Sequence, residues 1–301
     1  ITNAPMPTRN IDNKLVKYYS WLPMDQMYGE GNRNAFPALF DREFGVKFEG
    51  TFGNHDTYWD TLATLIASGT PSDVVLVPNW NYYPLAITEN LLEPLDDLID
   101  FSNPLWDDTR DNIEQMRMYD KTYIAYQNAN ITTWFFFNSK MFRDNGLKTP
   151  KEYYLEGNWT WDTMKDLANA FVRRLPDGTV DTYGVGFQTN DLIATTGIEL
   201  VESDPVDGYK FNLRDPKIAR MMNLMYELGE GGTGALSDGN TIPHFRSGKL
   251  PMLATVVWAA YIDFNEIRLA GNLDWVPLPK MDQDSTHYNQ IALNPGWAVV
   301  S

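Results

Sequence analysis

The 301-residue chain contains no cysteine and only three histidines, His55, His244 and His287. The first absence removes disulfide frameworks, thiol nucleophiles and zinc-thiolate sites together. The second, with no HExxH spacing, argues against a histidine-rich metal centre, and neither a metal nor a cofactor is expected. Basic residues are scarce as well: 24 Lys and Arg stand against 40 Asp and Glu, a formal charge of −16 at pH 7. Such a field repels phosphate backbones and anionic lipid heads, which disfavours nucleic acid as a partner. No apolar run reaches the roughly 18 residues of a membrane span, and Ile1 to Asp12 lacks the charged-then-apolar pattern of a signal sequence. No GxSxG elbow, Walker loop or complete GxGxxG occurs.

What is abundant is aromatic surface, with 15 Phe, 10 Trp and 16 Tyr in a chain that is 43% apolar. The length suits about two domains at ~150 residues each. Apolar periodicity predicts a strand over Lys14 to Tyr19, a helix from about Asn34 to Phe44 stopped by Gly45, and a short strand at Val46 and Phe48. Thr57 and Asp60 form a capping-box-like pair before a helix with Tyr58, Leu62, Leu65 and Ile66 on one face, and Val74 to Val77 reads as a buried strand. Strand, helix, strand, helix, strand is the rhythm of a parallel sheet flanked by helices.

A second register opens near Ile131, with a central strand over Thr133 to Phe137. Thr160 caps a helix with Trp161, Met164, Leu167, Ala168, Phe171 and Val172 inward. Asp215 before Pro216 opens another, with Ile218, Met221, Met222, Met225 and Leu228 inward and Gly229 as its stop. Phe245, Leu250 to Trp258, and Trp275 to Leu278 read as strand material. Gly296 to Ser301 reads as a strand running to the last residue, with further chain expected beyond it.

Chemistry of the usual catalytic kinds is thin. Asp96 with Asp97, and Asp107 with Asp108, are adjacent carboxylates, which cannot flank a glycosidic bond from both sides. Asp177, Gly178 and Asp181 hint at a calcium loop but lack its alternating oxygen ligands. The glycines at 231, 232 and 234, and at 184 and 186, read as caps and turns. Trp21, Trp80, Tyr82, Tyr83, Trp258 and Tyr261 instead fall where strands end and loops begin, beside Asn54, His55, Asn79, Asn81, Asn128, Asn130, Asn190 and Asp191. Ligands of open α/β sheets sit at strand ends. Flat rings against the C–H face of a pyranose, with amides and a carboxylate bonding its hydroxyls, suit a neutral polyhydroxylated ligand.

Five stretches, in order, resemble the solute-binding proteins of ABC importers, in the carbohydrate group. They are FDREFGVKFE from Phe40, YWDTLATLIASGTPSDVVLV from Tyr58, FFFNSKMFRDNGL from Phe135 followed by WTWDTMKDL from Trp159, FRSGKLPMLATVVW from Phe245, and the segment from Trp275 with PLPK and NPGWAVVS. The resemblance implies a two-lobed α/β periplasmic-binding-protein fold, with mixed sheets flanked by helices and the ligand in a cleft between lobes. Lobe 1 would take 1–131 plus 277–301, and lobe 2 would take 132–276. Family members continue past the NPGWAVVS-like strand with helices that complete both lobes, so a C-terminal part is expected to be missing. Ligand contacts would come from Trp21, Asn54, His55, Asn79, Trp80, Asn128, Asn130, Asn190, Asp191, Trp258 and Tyr261.

The function implied is non-enzymatic: capture of a carbohydrate, an oligosaccharide in the first instance, at the extracellular face of the membrane or in the periplasm. Delivery to an ABC importer permease by hinge closure would follow, from a monomer held to the membrane only by a lipid anchor upstream of residue 1. The alternatives are the same fold carrying a peptide, polyamine or other solute, and a carbohydrate-active enzyme.

Overall fold

A computed structural model describes residues 14–23, 35–77, 83–126, 131–204, 208–229, 231–291 and 295–301. The chain divides into two units, residues 1–130 with 293–301, and residues 131–292. In the first, the strands Leu15–Ser20, Lys47–Phe52 and Val74–Val77 are joined by the helices Ala35–Phe44 and Tyr58–Ala67. The 15–20 strand is central to this trio and parallel to both others. The predicted rhythm is therefore present. The strand Gly296–Val300 then enters antiparallel beside 74–77 and also pairs with Leu92–Glu93 and Ala125–Tyr126, which makes the sheet mixed.

Tyr58, Trp59 and Leu62 are buried in the core of this unit, with Leu65 and Ile66 packed against it, as the 3.6-residue period requires. The start of that helix differs from expectation. Thr57 makes no side-chain cap; the chain first makes a 3-10 turn, His55–Thr57, capped by Asn54, whose Oδ1 accepts the Asp56 N–H at 3.0 Å. An Asx side chain two residues ahead of a free N–H wins this role over a threonine whose own backbone already turns.

In the second unit the strand Thr133–Asn138 lies between Met252–Val256 and Leu273–Val276, antiparallel to both. Its aromatic run is explained by burial on both faces. Phe135 and Phe137 enter one apolar cluster and Phe136 the other, the two-residue alternation of a strand covered on both sides. The Trp161–Phe171 helix begins at Thr160, whose side chain accepts the Thr163 N–H, and buries Trp161, Met164, Leu167, Ala168 and Phe171. It ends at Val172, whose backbone is extended. Arg173–Arg174 then pairs as a short strand with Val180–Thr182. The Pro216–Leu228 helix is capped by Asp215 and buries Ile218, Met221, Leu224 and Leu228. Met222, expected inward, is 55% exposed: it lies one residue past Met221, about 100° round the helix. Phe245, expected in a strand, belongs to the helix Thr241–Arg246.

Residues 277–281 pack in this second unit, whereas the sequence reading assigns them to the first. Trp159 Nε1 donates to the Pro277 carbonyl at 2.9 Å, the Trp161 and Lys280 amides exchange bonds with the Lys280 and Trp159 carbonyls, and Leu278 and Met281 are buried in the larger cluster.

Candidate functional site

Each unit brings part of the expected set to a strand end. In the first, parallel register aligns Ser20 with Phe52, so the carboxyl ends of both strands lie side by side and Trp21 and Asn54 emerge at one edge of the sheet. Trp21 is half-buried, its ring edge-on to that of Tyr58 at 6.2 Å. Asn54 is exposed and committed through Oδ1 to its turn, which leaves its amide nitrogen to serve as a donor. His55 opens the 3-10 turn by its backbone, and its side chain lies outside the described residues, as do Asn79, Trp80, Asn128 and Asn130.

In the second unit, the 252–256 strand runs directly into Val257, Trp258 and a one-turn helix, Ala259–Ile262. Ala259 and Ala260 are buried with Phe136, Phe245, Leu253 and Phe264, which pins the turn to the sheet. Its other residues face outward: Trp258 is 53% exposed and Tyr261 65% exposed. Three residues apart on a helical turn, the two aromatics share a side. Arg268, from the helix Asn265–Leu269, lies with its guanidinium carbon 5.0 Å from the Tyr261 ring centre.

Asn190 and Asp191 begin the helix Thr189–Thr195. Asn190 is exposed. Asp191 is only 6% exposed and accepts the Gln188 N–H at 2.7 Å, holding the helix start. Burial pushes its carboxyl up to about 6, and the Gln188 bond only partly offsets this.

Four of the other acidic residues singled out in the sequence have structural partners. Asp96 accepts the Thr122 N–H at 2.8 Å, Asp107 pairs with Arg110, Asp177 closes a turn on the Thr179 N–H, and Asp181 pairs with Lys249. Among the described residues no group of three His, Asp or Glu is placed to hold a metal ion. Arg268 is absent from the sequence reading, since nothing in the local pattern ties a residue in one short helix to the ring of another. No described helix is long and apolar enough to cross a membrane.

The model of the bacterial extracellular solute-binding protein family matches residues 29–300. A comparison with curated proteins found no match. Among solved structures, an ABC substrate-binding protein of Listeria monocytogenes in complex with cycloalternan is similar at 16% identity and TM-score 0.64, over 96% of this chain and 71% of that one. The GacH receptor of Streptomyces glaucescens, solved unliganded and with acarbose, aligns at 17% identity and TM-score 0.65, over 95% and 71%. The galacto-N-biose/lacto-N-biose I-binding protein of an ABC transporter from Bifidobacterium longum, in complex with lacto-N-biose, aligns at 15% identity and TM-score 0.65, over 97% and 71%. At these identities the likeness is one of fold.

Proposed function

Because the chain belongs to the bacterial extracellular solute-binding proteins, we propose that it captures a carbohydrate, an oligosaccharide in the first instance, outside the cell membrane and hands it to the permease of an ABC importer. The observation that carries the cargo class is the pair Trp258 and Tyr261, two large rings turned outward at a strand end over a packed base. An exposed aromatic pair on a rigid support is costly to leave in water and well suited to the apolar face of a pyranose. Trp21, Asn54 and Asn190 supply a further ring and amide groups at the other strand and helix ends, and His55, Asn79, Trp80, Asn128 and Asn130 complete the proposed contacts; Asp191, expected among them, is instead buried and committed to its helix cap. The three similar structures named above carry sugars or a sugar mimic.

The test is a thermal-shift screen with acarbose, lacto-N-biose, cycloalternan and a wider set of mono- and oligosaccharides, beside peptides and spermidine. A sugar bound only by the native state stabilises it by about 2.7 kcal/mol at a hundredfold excess over Kd, a clear rise in melting temperature. Shifts with peptides or spermidine and none with any sugar would overturn the cargo class.

A further inference from the structure

Tyr261 lies on a helix of a single turn and is 65% exposed, a position from which an unsupported ring would sample several rotamers. It is not unsupported. The Arg268 guanidinium carbon lies over the ring, 5.0 Å from its centre. One face of the ring is therefore covered, and its exposure belongs to the opposite face and the edge. Arg268 is itself held in place: Nη2 donates to Asn265 Oδ1 at 2.5 Å, and its backbone N–H bonds the Phe264 carbonyl at 2.9 Å. Phe264 is fully buried, so the support is anchored in the same apolar cluster that carries the Tyr261 turn. Among the described residues no carboxylate pairs with Arg268, and its Nε is buried without an acceptor. The cation is thus committed to the ring and to Asn265, and not to an ion pair.

We propose that Arg268 is a positioning residue: it holds the Tyr261 ring against one side so that the free face meets a sugar ring already oriented. This rests on the carbohydrate reading above and deepens it by making Tyr261 a one-sided stacking platform. The physical gain is preorganisation, because the loss of rotamer freedom is met on folding instead of on binding. A planar guanidinium can lie along a ring while an ammonium acts as a point charge, so lysine is a poor substitute here. The side of Tyr261 opposite Arg268 would select ligands with a flat apolar face, hexopyranosides over acyclic polyols.

The experiment has a part that needs no sugar and a part that does. In the whole protein, NMR of the Arg268 side chain should show its Hδ and Hε protons shifted upfield by the Tyr261 ring current, and Tyr261→Ala should remove that shift. Calorimetric titration then uses the sugar of the above screen with the largest thermal shift, on Tyr261→Ala, Arg268→Ala, Arg268→Lys and the Tyr261→Ala/Arg268→Ala double variant. The expected result is a loss of about 3- to 10-fold in affinity for Arg268→Ala, little rescue by lysine, and no further loss when alanine replaces Arg268 in the Tyr261→Ala background. Absence of the ring-current shift, or an Arg268→Ala loss that persists without Tyr261, would overturn the positioning role while leaving sugar capture intact. Unchanged affinity in both Tyr261→Ala and Trp258→Ala would instead remove the carbohydrate site from this turn, and the platform with it.

Discussion

Tyr19 and Tyr58 lie with ring centres 4.5 Å apart, and each hydroxyl reaches the other residue's main chain. The Tyr19 hydroxyl donates to the Tyr58 carbonyl at 2.8 Å; the Tyr58 hydroxyl donates to the Leu76 carbonyl at 2.8 Å and lies 3.2 Å from that of Tyr19. One pair of side chains thereby ties two strands to the helix between them, beneath the edge where Trp21 and Asn54 emerge. Burial raises both phenols above their ordinary range. Tyr58→Phe should cost about 1 kcal/mol, as the loss of one buried hydrogen bond does. Urea denaturation checks it, with a lower midpoint and an unchanged slope expected; an unmoved midpoint would contradict the tie.

Gly53 sits directly over this pair. A Cβ there would stand 1.9 Å from the Tyr19 hydroxyl and 3.0 Å from the Tyr58 ring. Gly53→Ala should destabilise the protein by about 1–3 kcal/mol through overpacking. Because Asn54 follows, the same variant should weaken sugar binding at 25 °C, where the protein remains folded. Tyr19→Phe in the Gly53→Ala background removes the oxygen in the way and should recover part of the melting temperature.

Asp191 gives a pH dependence of defined sign. Its native carboxyl is raised to about 6 from an ordinary 3.8, so between those values the native state holds a proton that the unfolded chain has released. Stability therefore falls as pH rises through that window and stays lower above it, by on the order of 3 kcal/mol. Asp191→Asn keeps an oxygen for the Gln188 N–H and cannot ionise. Its melting temperature should gain on the native protein's as pH rises from about 4 to about 7. A difference constant across that range would show that this carboxyl does not titrate there.

Trp258 separates binding from folding. Half-exposed, it can be removed without opening a cavity, so Trp258→Ala should change stability by less than about 0.5 kcal/mol. Its stacking face should be worth about 1–3 kcal/mol of sugar affinity. Chemical denaturation and calorimetric titration on the same sample distinguish the two. A large stability loss with intact affinity would make Trp258 a packing residue.

These expectations drew on a sequence whose regular parts were readable and whose irregular ones were not. Phe135 to Phe137, Thr160 and Asp215 with Pro216 announce their roles because local patterning and tertiary burial agree at each. Thr57 and Phe245 mislead because a side chain two or three residues away, or a turn of helix too short to show a period, decides the outcome. At the site, Trp258 and Tyr261 were legible as strand-end aromatics, and Asn54 as a loop amide. The helix-capping bond of Asp191 depends on how the 188–191 turn folds, and the contact of Arg268 with Tyr261 depends on two short helices meeting; neither leaves a mark on the sequence.

The strand Gly296–Val300 bonds to three others whose residues precede it by 170 to 225 positions in register, from Gly296 with Tyr126 to Val299 with Val74, and it sits inside the sheet. A chain emerging from the ribosome makes the whole of the second unit before this strand exists. The second unit has its own sheet and clusters and can close while synthesis continues. The sheet begun first thus closes only after the second unit has been made. Its early strands must wait with an open edge, and long-range pairing of this kind makes closure of that sheet the slow step in folding.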